Sequence, residues 1–312
     1  MIGAIDVGGT KIAVAMVAEN GRIVHKMESP TAAERGFADG LARMRQMLQE
    51  CSRAAGAPIT GIGIGSSGPV DPWTGIYGRV DTLPTWEGSD IKKPLESEFG
   101  VRVAVENDAD AAALAESAWG AGKGKTRFIY VTISTGMGGG IVFDGQLYRG
   151  VDGAHPEVGH FVIEASGPEC YCGAHGCWEW MAAGPAMVSW MKANAPKGAK
   201  LPEGLSAKMI CEMADRGDPL AKKAVEREGH YIGVGVANLV MSFCPDRIAL
   251  GGGIMGSAHL FMDRIHELVR NNCTLVPAYK TEIVLASMGP DTGVVGAASA
   301  WYNRFGDEKN ER

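Results

Sequence analysis

Two stretches of this chain are built on one plan: a strand, a glycine turn, and two further strands. The first is "IGAIDVGGTKIAVAMVAENGRIVHKM", close to the N-terminus, and the second is "RFIYVTISTGMGGGIVFDGQLYRG", which opens at Arg127. They agree in kind and not in letters, so they mark two related halves rather than an array of solenoid repeats. Strand and helix patterns alternate around them. Phe37, Leu41, Met44 and Leu48 carry helical spacing within 32–55. "ITGIGIGSSGPVD" and "VRVAVEND" read as buried strands with glycine or polar residues at their carboxyl ends, the second leading into an alanine-rich helix over 109–119. The second half is expected to close with a helix at about 218–243, the strand "RIALGGG", a helix at about 257–271, the strand "TEIVLAS" and a helix near 292–303. Such alternation predicts an α/β fold whose ligands sit at the carboxyl ends of the strands.

The length of 312 residues exceeds the usual size of one core, which favours two domains. Glycine, at 44 residues, is roughly twice its average share of about 7%, as close backbone approaches to a ligand require. A formal charge of −6, without clustered Lys and Arg, argues against nucleic acid and for a small-molecule partner. The N-terminus has no basic region and carries Asp6 inside its apolar stretch, unlike a signal peptide. The most apolar segment, 232–243, is short for a membrane span and contains Asn238, so no membrane association is expected. A cytoplasmic location follows, and there thiols stay reduced, which disfavours a disulfide.

Three segments put glycines directly after a strand: "DVGGTK" (6–11), "STGMGGG" (134–140) and "LGGGI" (250–254). Such turns bring N–H groups close to an anion, and threonine hydroxyls add donors. None fits Walker A or the G-x-G-x-x-G fingerprint. Each alone also fits a structural hairpin turn. Together, two hairpins and a third glycine cluster can hold a triphosphate, with Asp6 near its metal; Asp6 alternatively caps its own turn.

"VENDADA" supplies the best general-base candidate, Asp108, where a buried strand passes into a helix; the competing reading is that Asp108 or Asn107 only caps that helix. In "ECYCGAHGCWE", Cys170, Cys172 and Cys177 follow C-x-C-x4-C, and Gly173 and Gly176 let the chain turn tightly. Zinc, reactive thiols and a buried cysteine turn are all compatible with this spacing. A structural zinc needs a fourth ligand, His160 or His175, and His175 is already committed to the turn between two cysteines, which favours His160. Cys51, Cys211, Cys244 and Cys273 read as core residues, and core packing is also the first reading of Trp178 and Trp180, with stacking on a ligand face as the alternative.

"DVGGTK", "SSGPVD", "ENDADAAALAE", "TISTGMGGGIV", "HPEVGH", "CYCGAHGCWE" and "LGGGI" occur in an order and spacing that resembles the ROK family of sugar kinases, repressors and related proteins. That resemblance implies an α/β, two-domain actin-like ATPase (ribonuclease H-like) fold with an active-site cleft between the domains. The expected boundaries are a small domain of 1–117 plus about 291–312 and a large domain of 118–290 carrying a zinc-binding loop. It implies ATP with Mg²⁺ as donor and a small-molecule sugar as acceptor, with Asp108 as general base. Sugar contacts are carried over to Ser67, Gly68, Asn107, Asp108, Glu157, His160 and Glu179. Nucleotide contacts are carried over to Asp6, Gly8, Gly9, Thr10, Lys11, Thr135, Gly136, Gly138, Gly252 and Gly253. His160 joins Cys170, Cys172 and Cys177 around a structural Zn²⁺, its other ring nitrogen turned to the sugar. A homodimer or dimer of dimers, and domain closure over the substrate, are usual in similar enzymes.

Departures from the family pattern bear on the acceptor. "DTLPTW" (81–86) stands where many glucose-specific members read "PNLPGW", "HPE" resembles the fructose branch, and Ala183 replaces a common serine. Glucose, giving glucose 6-phosphate, is the first expectation, with fructose, mannose, allose or N-acetylmannosamine as alternatives. The rival of a different class is a non-catalytic sugar-binding or regulatory member; the family's repressors place a DNA-binding module before the first glycine turn, for which Asp6 leaves no room.

Overall fold

The computed structural model describes residues 1–306. Residues 307–312, which the expected small domain includes, lie outside the described residues. The strands are β1 (Ile2–Val7), β2 (Lys11–Val17), β3 (Ile23–Pro30), β4 (Gly61–Ser66), β5 (Val103–Asn107), β6 (Arg127–Ile133), β7 (Met137–Phe143), β8 (Gln146–Leu147), β9 (Arg247–Gly251) and β10 (Glu282–Leu285). The helices are α1 (Phe37–Ala55), α2 (Lys92–Phe99), α3 (Asp108–Trp119), α4 (Trp178–Ala182) and α5 (Gly184–Asn194), followed by α6 (Ala207–Asp215), α7 (Pro219–Phe243), α8 (Met262–Asn272) and α9 (Thr292–Phe305). Two compact units result: Met1–Thr126 with Gly140–Pro156 and Ser287–Arg312, and Arg127–Gly139 with Glu157–Ala286.

The first unit holds a five-stranded sheet of order β3-β2-β1-β4-β5. β1 runs antiparallel to β2 and parallel to β4, which runs parallel to β5. The "GIGIG" alternation of β4 decides how this sheet is covered. Ile62 and Ile64 join Leu41, Met44 and Leu48 of α1 in the core on one face. On the other face the glycines admit α9 at backbone distance: a Cβ on Gly63 would stand 1.8 Å from the Ala297 carbonyl oxygen. Small residues also join α3 to α9, where a Cβ on Gly296 would meet the Ala111 carbonyl oxygen at 2.4 Å. Phe37, Tyr77 and Trp86 stack edge to face with centroids 5.3–6.3 Å apart, anchoring the "DTLPTW" loop in the core.

The second sheet has the order β10-β9-β6-β7-β8. β10, β9 and β6 are parallel and belong to the second unit, whereas β7 begins there and ends in the first unit, paired antiparallel with β8. Asp218 caps α7 by accepting from Leu220 N (3.0 Å) and Ala221 N (2.8 Å), with Pro219 at the first helical position. Trp178 is fully buried against α7, where a Cβ on Gly235 would come within 2.0 Å of its indole. Trp180, in contrast, is 42% exposed, so the expected core role holds for only one of the pair. Cys244 also departs from its expected core role: it is exposed, with φ 43° at the C-terminus of α7. Cys51, Cys211 and Cys273 are buried as expected. α1 starts at Phe37 rather than 32, because Ala32 (φ 47°) and Gly36 (φ 87°) bracket a separate 3-10 turn. Among the described residues no helix is long and apolar enough to cross a membrane.

Candidate functional site

In the first unit, strand register sets the chemistry in a row. Asp6 pairs with Gly65 across β1 and β4, and Ser66 with Asn107 across β4 and β5, so all lie at the carboxyl edge of the parallel strands. Asn107 caps α3, its Oδ1 accepting from Ala109 N (2.8 Å) and Asp110 N (3.4 Å). Its amide nitrogen is turned to Gly68, where a Cβ would come within 3.1 Å. The cap and a ligand contact are therefore compatible on one side chain. Asp108 accepts from Ala109 N through Oδ1 (2.8 Å) and from the Ser67 hydroxyl through Oδ2 (3.1 Å). Burial pushes its pKa up, the Ser67 and Ala109 hydrogen bonds and His155 oppose that, and Asp110 adds to it. A carboxylate so perturbed is a stronger base than an exposed one.

Asp6 is pushed up to about 6, first by burial and next by the Asp108 charge, against the pull of Lys11. The turn beside it is closed by Gly8 N donating to the Lys11 carbonyl (2.9 Å), and the Thr31 hydroxyl donates to Gly8 O (2.6 Å). Gly9 is capped by Thr82 of the "DTLPTW" loop; a Cβ there would lie 2.7 Å from the Thr82 side chain. The Lys11 ammonium pairs with Glu28 at 3.0 Å.

A buried ionic set beneath Asp108 was not legible as a site. Asp110, fully buried on α3, lies 2.9 Å from His155 Nδ1 and 3.7 Å from Arg149. Arg149 and Arg304 both pair with Glu106 on β5, whose pKa burial nonetheless raises. Buried charges persist only when paired. The available signal was the placement of Glu106 and Asp110 in otherwise apolar stretches, together with the "HPE" variant that supplies His155.

The second unit gathers the other two glycine clusters. The turn after β6 closes through Ser134 N donating to Gly136 O (2.8 Å), and Gly184 N donates to Ser134 O (2.8 Å). Gly252, at φ 88°, fits against it only for want of a side chain, since a Cβ would fall 2.3 Å from the Ile133 carbonyl oxygen. A Cβ on Gly253 would stand 3.6 Å from the Ser134 hydroxyl. Thr135, Gly136 and Gly138 are thereby brought together with Gly252 and Gly253. Glu179, on α4, accepts from Met137 N through Oε2 at 2.7 Å, tying that helix to the same turn. Glu157 is exposed, and its carbonyl accepts from His160 N (3.0 Å) across a 3-10 turn.

The ligand atoms of His160, Cys170, Cys172 and Cys177 all lie within 4.8 Å of one another. Cys170 Sγ is 3.7 Å from His160 Nδ1, and the Cys172 and Cys177 sulfurs are 3.5 Å apart. Bond lengths near 2.3 Å to sulfur and 2.0 Å to nitrogen put tetrahedral zinc ligands about 3.5–3.8 Å apart. The set therefore fits such an ion, and the sulfur separation far exceeds the roughly 2.05 Å of a disulfide. Gly173 (φ 90°) and Gly176 (φ 66°) make the turns. His175 is outside the cluster, its Nδ1 facing the Gly167 carbonyl at 3.3 Å. His160 Nε2 meets the Tyr171 hydroxyl at 3.0 Å, a residue to which sequence reasoning had given no role.

Comparison with known proteins bears on the fold and the family. A solved structure described as a ROK hexokinase from Thermus thermophilus superposes with a TM-score of 0.86 at 32% identity, covering 98% of this chain and 99% of that one. A ROK family glucokinase from Streptomyces griseus, solved with glucose and AMPPNP, gives 0.78 at 32% identity over 95% and 97% of the two chains. The fold is that of the actin-like ATPases. A glucokinase from Thermotoga maritima is 33% identical, covering 97% of each chain, and the model of the ROK family matches residues 2–304. The chain belongs to the ROK family.

Proposed function

We propose that this ATP-dependent sugar kinase phosphorylates a hexose, glucose first, with Asp108 as general base. The observation that carries the proposal is the Asp108 carboxylate, buried at the carboxyl edge of the first sheet, oriented by Ser67 and flanked by the Asn107 amide. Phosphoryl transfer asks little covalent chemistry of a protein: a base for the attacking hydroxyl, donors for the phosphates, and exclusion of water. The raised pKa of Asp108 suits it to take the hydroxyl proton. The turns at Gly8–Lys11, Thr135–Gly138 and Gly252–Gly253 offer backbone N–H groups to phosphate oxygens, and Asp6 is the carboxylate for Mg²⁺. The AMPPNP held by the Streptomyces relative supports ATP as donor.

Glu157, His160 and Glu179 are assigned to sugar hydroxyls, because carboxylates and imidazole read their direction strictly. His160, Cys170, Cys172 and Cys177 would hold a structural zinc, which supplies rigidity to the loop and, with four protein ligands, no open position for water. Glucose stands first because the Thermotoga and Streptomyces relatives carry that specificity in their names. Thr82, against Gly9, is the departure that bears on it. The test is ADP release with glucose, mannose, fructose, allose, N-acetylglucosamine and N-acetylmannosamine. Glucose is expected to give the highest kcat/KM; another hexose ahead of it overturns the specificity, and turnover of none overturns the kinase.

A further inference from the structure

We infer that the Tyr171 hydroxyl is a stand-in for a substrate hydroxyl: it occupies the His160 ring nitrogen, beside Glu179, and must swing out before a sugar binds there. This rests on the assignment of those two residues to the sugar.

The hydrogen-bond valences match. His160 Nδ1 is turned to the Cys170 sulfur at 3.7 Å; with that nitrogen given to the proposed zinc, the ring proton is on Nε2, 3.0 Å from Tyr171 Oη. The phenol oxygen faces that nitrogen, with the Glu179 carboxylate beside it. One proton to give and a lone pair to accept is also the inventory of an alcohol on a sugar ring.

Of the three partners only the phenol is free to leave. His160 is fixed by the sulfur cluster, and Glu179 by the 2.7 Å bond it accepts from Met137 N. Tyr171 is 63% exposed and, besides its hydrogen bond to His160, makes edge contacts to the His160 and Trp180 rings at 5.2 and 6.2 Å. Rotation of its side chain breaks the hydrogen bond to His160 and no core packing. A sugar therefore pays for the closed phenol in apparent affinity, as any ligand does whose competent state is only a fraction of the population.

Tyr171→Phe keeps the ring and removes the competing hydroxyl. Its Kd for glucose, by calorimetry without nucleotide, should fall about threefold to tenfold, the equivalent of one hydrogen bond of ordinary net strength. The sugar KM should fall in parallel with kcat and the KM for ATP unmoved, and zinc content should match the wild type. If another hexose leads the substrate panel, that hexose is the probe. Glu179→Gln is measured beside it and should weaken sugar binding. If Glu179→Gln leaves sugar Kd intact, or no hexose binds, the sugar-site assignment fails and this inference with it. If Glu179→Gln weakens binding but Tyr171→Phe binds sugar equally or more weakly, the stand-in role alone is overturned.

Discussion

Replacing Asp6 with Asn should make the ligand-free protein more stable while removing its use of Mg²⁺ and ATP. Asp6 is pushed from 3.8 to about 6, by burial first and by the Asp108 charge second. An acid whose folded pKa is raised opposes folding once ionised. That cost is absent below pH 3.8, grows through the window up to about 6, and is complete above it. At about 1.4 kcal/mol per pKa unit, the cost is about 1.6 kcal/mol at pH 5 and about 3 kcal/mol at pH 8. The carboxylate lies against Gly293 in the first turn of α9, where a Cβ would come within 2.2 Å of Oδ2. A helix N-terminus offsets roughly 0.3–1 kcal/mol for an anion, so Asp6→Asn should gain about 2–3 kcal/mol at pH 8. Urea unfolding of wild type and variant without ligands, at pH 5 and pH 8, reads the gap. The gap should widen toward pH 8, and Mg·ATP should stabilise the wild type only. A variant less stable at pH 8, or a gap of equal size at both pH values, would refute the reasoning; a functional carboxylate held at a cost to the fold is the expected pattern.

Two further outcomes follow from buried groups. The purified protein should carry about one zinc per chain, and Cys177→Ser should lose it by elemental analysis, with sugar Kd weakened more than ATP Kd; full sugar affinity in a verified zinc-free protein would break the link between loop and substrate. Glu116 is fully buried and accepts from Ala121 N, Ser287 N and Met288 N at 2.7–2.9 Å. Glu116→Ala orphans three N–H groups at about 1–3 kcal/mol each, so denaturant titration should show a loss of at least about 3 kcal/mol, and a loss under 1 kcal/mol would show that water replaces the carboxylate.

What was legible in the sequence was whatever rests on local pattern. The hairpin turns, the β5 to α3 junction and the C-x-C-x4-C loop declare themselves because glycine freedom, capping and ligand spacing act over a few residues. α2 and α4–α6 had no comparable signal; α4 is a five-residue helix, too short to show a period. The buried ionic set near Asp108 was hidden for another reason. Asp110 is near in sequence, but the Arg149 and His155 that pair with it and with Glu106 arrive from the segment after β8, and Arg304 from α9, and pairings so distant along the chain leave no local trace. Tyr171 was overlooked because it sits between two cysteines, in a position that looks like spacer. Trp178 and Trp180 show the limit of residue type: two aromatics flanking Glu179 on one helix turn, one sealed against Gly235 and the other half open beside Tyr171.

The proposed transfer of the attacking hydroxyl's proton to Asp108 is open to a direct test. Asp108→Asn keeps the shape of the side chain and a partner for the Ser67 hydroxyl while removing the base. Paired measurement of kcat and of sugar Kd by calorimetry tests it directly. The prediction is a fall in kcat of about 10²–10⁴ with sugar Kd changed less than about threefold. Turnover within tenfold of wild type, or loss of sugar binding that accounts for the whole defect, would contradict it.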